Sequence, residues 1–146
     1  MEKLKIYSAY LPYGLKLQYF DDEREILHND CKIVEFREDE MTIANNEYQY
    51  DVKFYDVKPI LFSLEDLTRE ITIGGETFVP LHKILEEYCF NLKVMSKEEI
   101  LSYQESLLEI DISYKVHSLL LKWKFNVINI PETEYIKVTE ENNPYK

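Results

Sequence analysis

Alternation of apolar and polar residues dominates the first sixty positions of the chain. In LKLQYF (15–20) and in YQYDVKFYDV (48–57), every second residue is apolar, a period that is typical of a β-strand with one buried face. Three further β-prone runs lie between them, EILH, CKIVEFR and MTIA, separated by polar turns. We therefore predict an antiparallel meander with one solvated face. The residues before it, 3–10, form a short helix or an extended arm that ends where Pro12 and Gly14 force a turn.

The period changes after VKPIL (57–61). Ser63 precedes Asp66 by three positions, which indicates a capped helix start. The pair Gly74 and Gly75 between two β-prone runs favours a tight hairpin, with a plain loop as the alternative. From Pro80 onward the apolar positions recur at helical spacing.

Three helices are predicted from Pro80 onward. The first carries Leu81, Ile84, Leu85 and Tyr88 on one face, and the second begins at Ser96. The third, 112–127, has apolar residues on two opposed faces, which predicts a central helix sandwiched between the sheet and another helix.

These elements predict a single α+β domain over residues 1–146. An antiparallel sheet from the N-terminal half packs against helices from the C-terminal half. The segment EYIKV (134–138) is a candidate edge strand, and TEENNPYK (139–146) is expected to be a frayed tail.

The net charge of the chain limits the classes of partner that it is expected to bind. The 146 residues carry 28 acidic and 17 basic side chains, a formal net charge of −11. Such a field repels phosphate backbones and anionic membranes, so nucleic-acid and membrane binding are not expected. The expected partner is a basic protein, or a second copy of the chain in a homodimer. No apolar run reaches the length of a signal or a membrane span, and two distant cysteines suit a reducing cytoplasm.

The stretch HNDC (28–31) concentrates potential metal ligands. Asn29 and Asp30 are residue types that fill two-residue hairpin turns, and His28 and Cys31 would then face each other across the strands. Since a stable zinc site needs three or four protein ligands and no third is evident, a turn is the preferred interpretation. No cofactor is expected.

A second candidate site lies on the helix that begins at Pro80. His82, Glu86 and Cys89 follow one another at positions i, i+4 and i+7, a spacing that brings them to one helical face. They could hold a metal, or His82 could activate the Cys89 thiol for a small metal-dependent or thiol enzyme. No recognised catalytic motif accompanies them, so a solvated His/Glu pair beside a cysteine is the simpler interpretation.

The stretch 113–125 is free of acidic residues. Lys115, Lys122 and Lys124 with Trp123 could form a basic, aromatic patch for a phosphate or a nucleic-acid strand. Because Trp123 falls in the apolar stripe, lysines that extend around a buried helix are the preferred interpretation.

Two acidic runs suggest a non-enzymatic function. Rows of carboxylates could mimic a phosphate ribbon and engage a basic partner if they share one face; a merely solvated surface is the alternative. The runs are Asp21, Asp22 and Glu23, and Glu38, Asp39 and Glu40.

Four segments, YLPYGLKLQYF, VKPILFSLEDLTREI, FVPLHKI and YKVHSLLLKWKFNVINI, resemble in sequence and order a group of uncharacterised phage and prophage proteins of gut anaerobes. The resemblance implies a phage-encoded protein acting in a bacterial cytoplasm, and it implies no activity or catalytic residue. This chain departs from the group at Asn126, where an acidic residue is usual, and in PETEYIKV.

Overall fold

A computed structural model of the chain describes residues 2–87, 96, 98–99, 102 and 114–146. The chain begins with helix α1 (Glu2–Tyr10), which continues as one 3-10 turn (Leu11–Tyr13) and stops at Gly14. Gly14 has φ of +72°, a left-handed conformation that ends a helix readily. The helical alternative for the N-terminal segment is therefore confirmed.

Six strands form one sheet in the order β4-β3-β2-β1-β5-β8. Each of the first five pairs with its neighbour in antiparallel fashion, and β8 joins β5 in parallel. The strands are β1 (Leu17–Asp21), β2 (Ile26–Phe36), β3 (Glu40–Ala44), β4 (Gln49–Lys53), β5 (Val57–Leu61) and β8 (Ile136–Lys137). The predicted meander and the edge strand are both confirmed.

Strand β2 corrects the interpretation of HNDC. The four residues lie inside one strand of 11 residues, and the turn that precedes it is formed by Asp22–Glu25. The ladder pairs Tyr19 with His28 but Leu17 with Cys31, so β2 has one extra residue there. A second irregularity follows after Ile33. These bulges bend β2, which pairs with β1 through its first half and with β3 through its second.

The second half supplies two helices, one hairpin and short 3-10 turns. Helix α2 (Pro80–Glu87) buries Pro80, Leu81, Ile84 and Leu85, and α3 spans Tyr114–Lys122. The predicted Gly-Gly hairpin is confirmed by β6 (Ile71–Ile73) and β7 (Glu76–Phe78), with both glycines at positive φ. Ser63 Oγ caps a 3-10 turn (Leu64–Thr68) where a helix start was predicted. Glu99 N donates to Ser96 Oγ, as a capped start requires, while Tyr88 lies outside the described residues.

Apolar side chains form two clusters, one on each face of the sheet; the outer one covers only the β5 end, so Phe20, Leu27 and Val34 stay exposed on β1 and β2. The inner cluster lies between the concave face of β1–β5, α1 and one side of α3, and the outer cluster lies between β5, the other side of α3 and the C-terminal segment. The inner cluster includes Tyr7, Tyr10, Leu17, Cys31, Met41, Ile43, Val52, Leu61 and Leu121. The outer cluster includes Ile60, Phe62, Val116, Leu120, Trp123, Phe125 and Tyr145.

Helix α3 is thus apolar on two opposed sides because it packs between two layers, as predicted, although it ends at Lys122. The fold is α+β, as predicted.

The C-terminal segment contradicts the expected frayed tail. Tyr145 is only 7% exposed. Its hydroxyl accepts from the backbone N of Lys16 at 2.9 Å and donates to the carbonyl of Ile60 at 2.6 Å. Asn143 Nδ2 also donates to the Thr72 carbonyl. Tyr145 and Asn143 therefore fix residues 139–146 against the rest of the fold.

Candidate functional site

A hydrogen-bonded network of polar and aromatic side chains fills the open end of the concave face. The Tyr50 hydroxyl lies 2.8 Å from Asp21 Oδ2 and 3.0 Å from His28 Nε2. Asn45 Nδ2 lies 3.1 Å from His28 Nδ1 and 3.1 Å from Asp30 Oδ1. The network therefore links the end of β1, the first half of β2 and the start of β4.

Every proton in this network has a determined place. Because the Asp21 carboxylate only accepts, Tyr50 donates to it, and the Tyr50 oxygen accepts from His28 Nε2–H. Nδ1 of His28 then accepts from the Asn45 amide, whose own oxygen accepts from the backbone N of Glu47 and Tyr48. Both ring nitrogens of His28 are thus occupied, so the imidazole positions β2 and offers no free lone pair to a metal.

Asp21 has the strongest set of partners. Its Oδ1 accepts from the backbone N of Glu23 and Arg24, and its Oδ2 also accepts from Arg24 Nη1 at 2.9 Å. The hydrogen bond from Tyr50, followed by those from Arg24, lowers the pKa of Asp21 to about 2. Burial and the bond to Asp21 raise the pKa of Tyr50 to about 12. Asp21 is therefore a buried structural carboxylate, which corrects the prediction that it lies on an exposed acidic surface.

An apolar pair lies on the opposite, outer face of the same hairpin. Phe20 and Leu27 are register partners and are 47% and 53% exposed. Beside Leu27 opens a cleft of about 410 Å³, which we term the acidic cleft. Its lining consists of Leu27, His28, Asn29 and Asp30 from β2 and residues 141–144 from the C-terminal segment. The Asp30 and Glu141 carboxylates give its polar walls a negative charge.

The two predicted acidic runs do not share one face. Asp22 and Glu23 lie in the exposed turn before β2, whereas the second run follows the far end of that strand, about 33 Å along its length at 3.3 Å per residue. Two carboxylates of the second run form ion pairs with Lys53, whose Nζ lies 3.4 Å from Asp39 and 2.6 Å from Glu40. Sequence spacing could not reveal these pairs, since Lys53 comes from β4.

The remaining candidates are separated by the fold. Cys31 belongs to the inner cluster, and burial raises the pKa of its thiol to about 11, so it is a core residue and no partner for His28 across a turn. His82 and Glu86 lie on the exposed side of α2, and Cys89 lies outside the described residues.

The tryptophan of the predicted basic patch is buried. Trp123 packs against Phe78 in the outer cluster, so it presents no stacking surface to a nucleic acid. Lys115 is exposed near the start of α3, whereas Lys122 and Lys124 lie at and beyond its end. The fold therefore divides the predicted basic patch.

No family model, curated protein or solved structure matches this chain. Over the part of the chain that the structure describes, no three His, Cys, Asp or Glu residues gather as a metal site. Among those same residues, no helix combines the length and the apolar character that crossing a bilayer requires.

Proposed function

We propose that the protein is a non-enzymatic binding module that captures a basic protein through the acidic cleft and the adjoining Phe20–Leu27 pair. The observation that carries this proposal is the contiguity of two features, an exposed apolar pair and a cleft with carboxylate walls. A partner segment with a Lys or Arg next to a large apolar residue would satisfy both at once.

The charges around the cleft support a basic partner. The turn that joins β1 to β2 contributes Asp22, Glu23 and Glu25, and no described cation forms an ion pair with any of the three. The Glu141 side chain is exposed. A cation that docks beside Leu27 would therefore meet several carboxylates that have not been neutralised within the molecule.

The buried network supports binding rather than catalysis. Each polar side chain in it is satisfied by another, so none is left to hold a reacting group. Its effect is to hold rigid the strand that forms one side of the cleft, which reduces the entropy lost on binding. From the resemblance to phage and prophage proteins, we infer that the partner is a host or phage protein of a bacterial cytoplasm.

The test is a selection from a displayed peptide library in which basic and apolar positions vary independently, followed by calorimetry on the selected peptides. Peptides that pair Lys or Arg with Leu, Phe or Trp should be enriched. Leu27→Thr and Glu141→Lys should each weaken binding about tenfold or more, a loss of roughly 1.4 kcal/mol.

The chain offers matched controls for both variants. Val34→Thr alters an apolar side chain that is 60% exposed on the same strand, and Glu132→Lys makes the same charge change on a distant turn. Reversal of Glu38 to Lys should likewise leave binding intact. Enrichment without basic residues, or equal losses in variants and controls, would refute the proposal.

A further inference from the structure

Four lysines gather on the outer face of this acidic protein, near the base of the β1–β2 hairpin. The ladder pairs Leu17 with Cys31, so the next residues along the two strands, Lys16 and Lys32, come opposite each other. Both lie on the outer face, because their neighbours Leu17 and Cys31 point into the inner cluster.

Tyr145 brings the end of α3 to the same place. Its hydroxyl is bonded to the backbone of Lys16, and the Nζ of Lys124 lies 5.1 Å from the centre of its ring. Lys122 is the last residue of α3, two positions before Lys124. We term these four residues the lysine cluster: Lys16, Lys32, Lys122 and Lys124.

The backbone holds Lys124 in a conformation that lysine rarely adopts. Its φ is +60°, where a side chain other than that of Gly, Asn or Asp is strained. Its N donates to the Leu121 carbonyl, and its own carbonyl accepts from Phe62 N at 2.8 Å. The backbone at position 124 is thus fixed between α3 and the sheet, and the side chain at this strained position is a cation.

These cations repel one another without compensation. Burial, and then the charges of Lys122, Lys16 and Lys32, lower the pKa of Lys124. No member of the lysine cluster forms an ion pair with a carboxylate in the described parts of the chain, although acidic residues outnumber basic ones. Such a group of lysines, one of them on a strained backbone, is suited to bind an anion that the chain itself does not supply.

We propose that the lysine cluster binds a compact phosphate-bearing anion of the diphosphate or triphosphate class. Several neighbouring ammonium groups suit an anion with several charges on few atoms. A long nucleic acid fits less well, because beyond the cluster it would meet the field of a chain with net charge −11. The lysine cluster shares no residue with the acidic cleft, which it adjoins because Lys32 lies two positions after Asp30 and Tyr145 follows Pro144. Its proposed ligand is independent of the proposed function.

The experiment is calorimetric titration of the full chain with inorganic triphosphate, without divalent metal and at constant ionic strength. We expect saturable binding of one anion. Lys16→Gln combined with Lys32→Gln should weaken it at least tenfold, and Lys124→Gln should do the same. Lys5→Gln combined with Lys115→Gln removes two exposed lysines elsewhere and should leave binding unchanged.

Stability provides a second measurement. Because the cluster is self-repelling, the Lys16/Lys32 variant should unfold at the same temperature as the wild type, or higher, without the anion, and should lose the stabilisation that triphosphate gives the wild type. Tighter binding of a nucleoside triphosphate than of triphosphate would identify a nucleotide as the source of the phosphate groups. Equal weakening in the control variant, no binding, or tighter binding of a single-stranded oligonucleotide would overturn the proposal.

Discussion

At the residue scale, the Asp21 carboxylate shows how local bonding sets the character of a side chain. The sequence places it in a row of acidic residues, and nothing in that row separates Asp21 from Asp22. The difference arises from a distant residue, since the Tyr50 hydroxyl that donates to Asp21 comes from β4, 29 positions along the chain. Residue type and spacing could therefore predict the acidic turn but not which of its carboxylates is structural.

The pKa of Asp21 leads to a prediction about acid stability. Its value of about 2 in the folded protein lies below the roughly 3.9 of an unfolded chain. Asp21 therefore stabilises the fold fully above about pH 4, and this contribution is lost as the pH falls through about 2. Asp21→Asn should lower the melting temperature at pH 7 by roughly 5 °C, and the difference from wild type should shrink in acid.

Thermal unfolding followed by circular dichroism between pH 7 and pH 2 measures this effect. Asp22→Asn removes the same charge from the neighbouring exposed position and should change the melting temperature little. A difference between Asp21→Asn and wild type that stays constant down to pH 2 would contradict the assignment.

At the element scale, β2 explains why the local sequence HNDC wrongly predicted a turn. Asn29 and Asp30 favour turns in short peptides, and a bulge tolerates the same residue types inside a strand. The choice between them depends on β1 and β3, which lie on either side of β2 and supply the ladder hydrogen bonds. Strong local signals elsewhere, such as Gly74 and Gly75, predicted the structure correctly because they need no distant partner.

The turn before β2 leads to a second prediction. Glu25 has φ of +54°, which asparagine tolerates better than glutamate. Glu25→Asn should raise the free energy of unfolding by about 0.5–1 kcal/mol in urea denaturation. Glu23→Asn removes the same charge from this turn, where φ is not positive, and should give no comparable gain. Equal effects of the two substitutions would mean that charge, not backbone strain, limits the turn.

At the scale of the whole molecule, β5 joins the two apolar clusters. Ile60 belongs to the outer cluster and Leu61 to the inner one, so adjacent residues support opposite layers. The layered α+β arrangement could be predicted from apolar periods. The role of the last residues could not, because a single Tyr145 in a polar segment has no period.

The third prediction is that the two apolar clusters unfold together because β5 joins them. Leu61→Ala should cost about 2–5 kcal/mol, as truncation of a fully buried leucine does. Trp123, the single tryptophan, belongs to the outer cluster. In the Leu61→Ala variant, the unfolding transition followed by its fluorescence should nevertheless shift together with the transition followed by far-UV circular dichroism. Val34→Ala, at an exposed position, should shift neither. Two separate transitions in the Leu61 variant would show that the layers unfold independently.

The position of Tyr145 also has a consequence for the protein while it is being made. The strands of the meander are complete once residue 53 has been added, but the outer face of β5 waits for Tyr145. At about 5–20 residues per second, the ribosome needs roughly 4–17 seconds to add the 83 residues from the one after Phe62 to Tyr145. For that interval the growing chain would present Ile60 and Phe62 uncovered, a short-lived apolar surface that chaperones near the ribosome could bind.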